Sequence, residues 1–324
     1  MRGLITALAL CCAVAASGQI YIDSYRFATA GGDLLLDSFS GAAAAYSLRK
    51  LDKDYAGNVI MVRRSSDGDS LNIGFSGNFL DTVVMKTFCG TSATDSCFVR
   101  TWYDQGANAN HARMTTNHKQ FQIMKGGAII YRNGEVALET DGVDARMTSS
   151  ITQIQSSEAL VVFGVYSSSV TAAANTNSVL LWSSGILNTD ILRNHASSSG
   201  LLTGEFMILD TRTTLIGNER LGSSTYRRNS NTQVVETSLF LSTGTSFFQN
   251  NSQITLDLTS SGATTTANYS PAAFNLGSTF DIAALNDVVF SPQFWIQELI
   301  VYPTNISSNR SAITTNINNF YSIY

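Results

Sequence analysis

The sequence predicts an all-β chain, a sandwich or a barrel, with a few short helices at its periphery. Three observations predict it. Apolar, β-branched runs of strand length recur along the 324 residues, separated by polar turns. Helical periodicity surfaces in only three short segments. No repeat with a period of about 20–50 residues is visible, which argues against propellers and solenoids.

The chain opens on Arg2 and an apolar run from Leu4 to Ala16, closing in Ala15, Ala16, Ser17 and Gly18. Residues 1–18 read as a signal peptide, or as an apolar N-terminal anchor buried in an assembly. The run is shorter than the ~20 residues that cross a bilayer, so no transmembrane span is expected. Leu10 stands before Cys11 where a lipidation site wants a small residue. Residues 19–324 read as a single domain, with a strand and lead-in loop over 19–40.

Gly41 to Leu51 reads as an Ala-rich helix with Ala45, Leu48 and Leu51 on one stripe. Asp81 is an N-cap for a second helix, DTVVMKTFCG, with Gly90 placed to end it. CFVRTWYD (97–104) is a strand. AIIYRNGEVALET (128–140) is a hairpin with a type I′ turn at Asn133-Gly134. ALVVFGVYS (159–167) and SVLLWSS (178–184) are apolar strands. TQVVETSLFLST (232–243) and SFFQNNSQITLDL (246–258) pair as a hairpin turning at Asn250-Asn251. AFNLGS (273–278) and FWIQELIVYP (294–303) are the last strands. A closing helix is capped by Ser307 or Ser308, with Ile313, Ile317, Phe320 and Tyr321 at helical spacing. Alternation along the strands puts Trp102, Val161, Phe163, Leu180, Trp182, Leu239, Leu241, Phe294 and Ile296 between two antiparallel sheets.

Charged residues make up only 14% of the chain, against roughly 25% in an average soluble protein. Ser, Thr, Asn and Gly supply the polarity, as suits an outward-facing protein with many turns. The net charge of −4 and the absence of a basic block argue against a nucleic-acid partner. His111, His118 and His195 show no metal-ligand spacing, so no transition metal is expected. Lectin-like sandwiches can hold calcium through Asp and backbone oxygens, but no EF-type loop is present. Phosphate-binding loops, dinucleotide fingerprints and nucleophile elbows are absent, so no cofactor is indicated. Beyond the N-terminal run only Cys89 and Cys97 remain. They flank GTSATDS and form either a disulfide of an oxidising compartment or two free thiols of a reducing one.

The stretch from Ala42 to Ala112 contains AAAAYSLRKL, VRRSSDGDSLNIGF and TFCGTSATDSCFVRTWYDQGANANHA. In order and spacing it resembles the N-terminal half of the catalytic domain of fungal α-L-arabinofuranosidase B. It resembles more closely the lectin-like modules of that type in bacterial surface proteins and phage virion proteins. The resemblance implies a concanavalin A-like jelly-roll β-sandwich whose closing strand returns beside the N-terminal region. It also implies a bridge between Cys89 and Cys97, contributing at most about 2–3 kcal/mol for so short a loop.

Family members read close to WYDQSGNGNHA where this chain has WYDQGANANHA (102–112). Gly106, Ala107 and Ala109 stand where Ser, Gly and Gly are usual. Fewer glycines restrict the positive-φ options, so the loop either turns differently or is held by its Asn side chains. Trp102, Asp104, Gln105, Asn108, Asn110 and His111 are the candidate ligand-binding residues, offering donors and acceptors to a sugar. Their alternative role is to pin the loop through its own backbone. Arg63, Arg64 and Asp67 in VRRSSD form a loop ion pair or contact an acidic sugar.

No catalytic pair is favoured. The family's acid/base Asp follows a Leu-Gly pair, which points to Asp281 after Leu276-Gly277. Its Glu nucleophile falls on Asp190, one methylene shorter and without the flanking Met-Glu-Ala pattern; Glu205 is a second candidate. The resemblance therefore implies a non-enzymatic, lectin-like structural or glycan-recognising protein on a virion surface (tail fibre, spike or capsid decoration), or a secreted one. Its partners would be carbohydrate or other virion or cell-surface proteins, with a homo-oligomer left open. The alternative is a retaining glycoside hydrolase acting on α-L-arabinofuranosides.

Overall fold

The structure, a computed structural model, describes residues 34–156, 159–169, 179–185, 191–197, 206–213, 217–223, 231–256, 258–259, 279–283 and 293–324, with the backbone alone for 179–222. The N-terminal segment 1–18, the strand expected after it and the expected strand 273–278 lie outside the described residues. So do the side chains of Leu180 and Trp182.

The described strands form two antiparallel layers. In the back layer, the order is Ala44–Ser47, Phe294–Tyr302, Ala159–Ser168, Val234–Leu241, Gly244–Gln249 and Ser252–Ile254. The closing strand thus returns beside the first one, as expected. In the front layer, Ser70–Ile73, Ile60–Arg64 and Cys97–Trp102 lead through Ala112–Arg113 and Met147–Ser150 to Thr279–Ile282. From there the order continues Val179–Gly185, Ile191–Ser197, Phe206–Thr213, Gly217–Gly222 and Leu258–Thr259. The strands Phe121–Lys125 and Leu138–Glu139 link the layers at one edge.

The main core lies between the layers. Leu160, Val162, Tyr166, Phe240, Leu299 and Val301 from the back meet Val62, Val99, Trp102, Met147, Phe280 and Ile282 from the front. Phe294 and Ile296 join this core, as the alternation predicts.

A second core sits on the outer face of the back layer. There Val161, Phe163, Val165, Leu239, Ile300 and Tyr302 pack under two helices, α1 (Leu35–Ser38) and α3 (Arg310–Tyr321). Val161, Phe163 and Leu239 are therefore buried, but not between the sheets, and Leu241 is only half-buried. The reason is local. A strand apolar on both faces, ALVVFGVYS, must be covered twice, and the helices supply the second cover.

Helix α2 (Thr82–Cys89) follows the local rules: the Val84 N–H donates to Asp81 Oδ1 at 3.0 Å, and Gly90 ends the helix with φ +88°. The expected helix over Gly41 to Leu51 is instead the strand Ala44–Ser47, paired with the closing strand. Alanine's helix propensity is a weak prior. Here both faces of the segment are buried, and small side chains let it lie between the main core and α3.

Neither Ser307 nor Ser308 caps α3. A 3-10 turn, Ser307–Asn309, precedes it, and Asn305 Oδ1 accepts the Ser307 N–H instead. The Val234–Leu241 hairpin turns at Ser242 and Thr243, while Asn250 and Asn251, with φ of +47° and +68°, turn the next pair. The Asn133-Gly134 turn is as expected, with φ of +50° and +82°. Its Asn133 amide donates to the Tyr321 and Ser322 carbonyls at 2.6 and 2.9 Å, satisfying the end of α3 from a distant hairpin.

Candidate functional site: a pinned loop and the cleft beside it

The strand Cys97–Trp102 carries the chain into the loop 103–111, which returns as Ala112–Arg113 on the same strand's edge. At its start, Cys89 and Cys97 form a disulfide with Cα atoms 5.9 Å apart. This bridge ties the end of α2 to the strand.

Asp104 is the centre of the loop and only 1% exposed. Its Oδ1 accepts the N–H groups of Ala45 (2.7 Å) and Gly106 (2.8 Å), and its Oδ2 accepts that of Asn110 (2.9 Å). The Asp104 N–H donates in turn to His111 Nδ1 at 3.1 Å. Burial pushes the Asp104 carboxyl above the usual carboxylate range, against the pull of those three N–H groups and His111. Burial likewise holds the His111 imidazole below its ordinary value, against the attraction of Asp104. A neutral imidazole keeps the Nδ1 lone pair that this bond needs.

The neighbours play the same part. Gln105, 2% exposed, accepts the Leu51 N–H and donates to the Ser47 and Arg49 carbonyls. Asn108 donates to the Ala42 and Ala43 carbonyls, and Asn110 to Ala43 and to Gln153 Oε1. The Asn110 carbonyl accepts from the hydroxyls of Tyr46 and Ser149. All these side chains stitch the loop to the strand Ala44–Ser47 and its flanks.

The sequence therefore places these residues together correctly, and the geometry gives them the pinning role. Trp102 is buried in the main core against Tyr46. With Asp104 and Gln105 also buried and engaged, none of the three faces a ligand, which corrects their assignment as binding residues. Asn108 is exposed; Asn110 and His111 are half-buried.

Ala109 adopts φ +54°. The loop thus keeps the left-handed turn at a position where family members carry glycine, with Asn108 and Asn110 holding it on either side. A Cβ in that region costs about 1–2 kcal/mol. Ala109→Gly is expected to raise stability by about 1 kcal/mol, less the entropy glycine restores to the unfolded chain. Denaturant unfolding measures it, and a loss of stability would mean the strain is not there.

The remaining candidates separate from the loop. Asp281 lies mid-sheet, opposite Thr148 and Ser183, 4% exposed, and accepts the Thr148 hydroxyl at 2.8 Å. Asp190 and Glu205 lie outside the described residues. Arg64 pairs with Asp67 (2.6 Å) and Asp69, whereas Arg63 donates to Gln120 and stacks on Phe98. Arg64 holds its own turn, and Arg63 ties its strand to the segment around Gln120. No group of three or more His, Cys, Asp or Glu side chains converges on a metal site among the described residues. No described helix is long and apolar enough to cross a membrane.

Beside the pinned loop opens a cleft of about 370 Å3 between it, α1 and the segment 40–43. Ser40, Asp52, Asn108 and Gln153 stand at it, over small residues that include Ala43 and Gly106. Sequence reasoning finds Asn108 but misses Ser40, Asp52 and Gln153, which carry no pattern of their own.

Residues 33–169 match the family model described as alpha-L-arabinofuranosidase B, catalytic. The matched segment holds the whole pinned loop, the disulfide and the strand Ala159–Ser168. Among solved structures, a GH54 α-L-arabinofuranosidase soaked with a cyclic sulfate inhibitor aligns with a TM-score of 0.53 at 14% identity. A mutant GH54 enzyme soaked with 4-nitrophenyl α-L-arabinofuranoside aligns at 0.54 and 14%. So does an arabinofuranosidase complexed with arabinofuranosyl-α-1,2-xylobiose. Each alignment covers 87% of this chain and 64% of the other, so the chain spans less than two thirds of these enzymes. The β-sandwich is thus the fold of the arabinofuranosidases over nearly the whole chain. No curated protein sequence matches.

Proposed function

We propose that the chain is a non-enzymatic, lectin-like module that recognises carbohydrate, displayed on a virion surface or secreted. One fold hosts many activities, so the site must decide. The observation that carries the reading is the fate of the signature loop. Asp104 and Gln105 spend their polar side-chain atoms on backbone groups, and Asn110 its amide nitrogen on Ala43 and Gln153, so the motif shared with the arabinofuranosidases is a fold-maintaining device. It accompanies the fold whether or not chemistry does.

A retaining hydrolase would need a second carboxylate facing Asp281 at about 5–5.5 Å, and the sequence offers no Glu in the family's context. The disulfide supports an oxidising destination outside the cell. Glycans, or other virion or cell-surface proteins, are the partners this reading implies, and self-association is compatible with it.

Two measurements test it together. The protein is expected to bind members of a glycan array, and to release no nitrophenolate from 4-nitrophenyl α-L-arabinofuranoside above the level of its Asp281→Asn variant. Turnover that disappears in both Asp281→Asn and Asp190→Asn would replace the lectin reading with the hydrolase.

A further inference from the structure

We propose that the cleft beside the pinned loop is the glycan site, and that it takes a single neutral sugar ring; this rests on the carbohydrate reading above. The cleft's 370 Å3 lies at the small end of the roughly 300–1,000 Å3 typical of ligand pockets. It has room for one ring and not for an extended oligosaccharide.

Two of the polar side chains at the cleft, Asn108 and Gln153, are oriented by the loop network. Asn108 commits its amide nitrogen to the Ala42 and Ala43 carbonyls, which leaves its Oδ1 as an acceptor without a partner among the described residues. Gln153 accepts from Asn110 through Oε1, which leaves its amide nitrogen as a donor without a partner among the described residues. Asp52 uses Oδ1 on the Asp54 N–H and keeps Oδ2; the Ser40 hydroxyl has no partner among the described residues. Fixed donors and acceptors side by side are what the neighbouring hydroxyls of a sugar require, since each hydroxyl both donates and accepts.

Charge sets the class. Among the described residues no Lys, Arg or His lines the cleft, and Asp52 does. A carboxylate or sulfate on the ligand would meet repulsion without a compensating cation. Between the polar groups, Leu36, Ala42, Ala43, Ala107 and Pro303 present small apolar surface to the C–H face of a ring. Among the described residues no aromatic side chain lines the cleft, so contact area is modest and affinity for a single ring is expected to be millimolar.

Saturation-transfer NMR with D-glucose, D-galactose, D-mannose, L-arabinose and N-acetyl-D-glucosamine tests the inference, with N-acetylneuraminic acid and galactose 6-sulfate as acidic probes. At least one neutral sugar is expected to bind and neither acidic one. Ala107→Trp, which fills the cleft from an exposed position, is expected to weaken binding at least tenfold without moving the thermal midpoint. Ser40→Trp fills it from the other wall and serves if Ala107→Trp fails to fold.

Neutral-sugar binding that survives both substitutions would overturn the cleft assignment and leave the carbohydrate reading standing. Binding of the acidic probes alone would overturn the neutral class. A glycan array with no hits, together with no monosaccharide binding, would remove both.

Discussion

Replacing Arg49 with Ala is expected to destabilise the protein by about 3–5 kcal/mol, a fall in thermal midpoint of roughly 5–8 °C for a domain of this size. Arg49 and Glu298 form a buried bidentate pair, with Nε 2.8 Å from Oε2 and Nη2 3.0 Å from Oε1. Glu298 is 1% exposed and also accepts from the Ser47 and Tyr321 hydroxyls. Arg49 donates to Asn316 and lies 4.9 Å from the Phe320 ring centre. One ion pair thus joins the first strand, the closing strand and α3.

Without Arg49, the Glu298 carboxylate stays buried and uncompensated, which is the costly case. Removing both charges with Arg49→Met and Glu298→Leu is expected to recover most of the loss, because a well-packed apolar pair replaces the desolvated charges. Hydrogen exchange should show α3 opening first in Arg49→Ala. A loss below 1 kcal/mol in the single variant, or a double variant worse than either single, would show that the pair does not hold α3.

Asp104→Ala is expected to cost about 3–5 kcal/mol, because three backbone N–H groups lose their acceptor and one, Ala45, is fully buried. Asp104→Asn keeps the shape. It can retain Oδ1 toward Ala45 and Gly106 while turning an NH2 against the Asn110 N–H, so about 1–2 kcal/mol is expected. The order Ala worse than Asn, read from denaturant midpoints, tests the pinning role. If Asp104 served a ligand instead, both variants would keep wild-type stability and lose glycan binding.

Much of the fold is legible in local patterns. Asp81 and Gly90 delimit α2, and Asn133-Gly134 makes its turn, because backbone conformation there is set by the residue itself. The strand ALVVFGVYS is recognisable from its apolar run alone. The loop residues also come together as their spacing suggests. Whether Asp104 and Gln105 face a ligand or the backbone is not legible, because the same carboxylate and amide suit both. The decision rests with the strand Ala44–Ser47, which brings its unpaired N–H and C=O groups against them.

By itself, then, the sequence determined the all-β class, the short helices α2 and α3, and the turns at Asn133-Gly134 and Asn250-Asn251. These depend on residue-level conformational preference and on periodicity. The tertiary structure alone decided three things. The alanine-rich segment became a strand, because pairing with the closing strand and burial on both faces outweigh a propensity worth tenths of a kcal/mol per residue. The apolar face of Val161 and Phe163 went under α3, anchored by a pair of charges 249 residues apart in sequence. The cleft assembled Ser40, Asp52, Asn108 and Gln153 from four separate segments. No local pattern records such contacts, since they exist only once the chain has closed on itself.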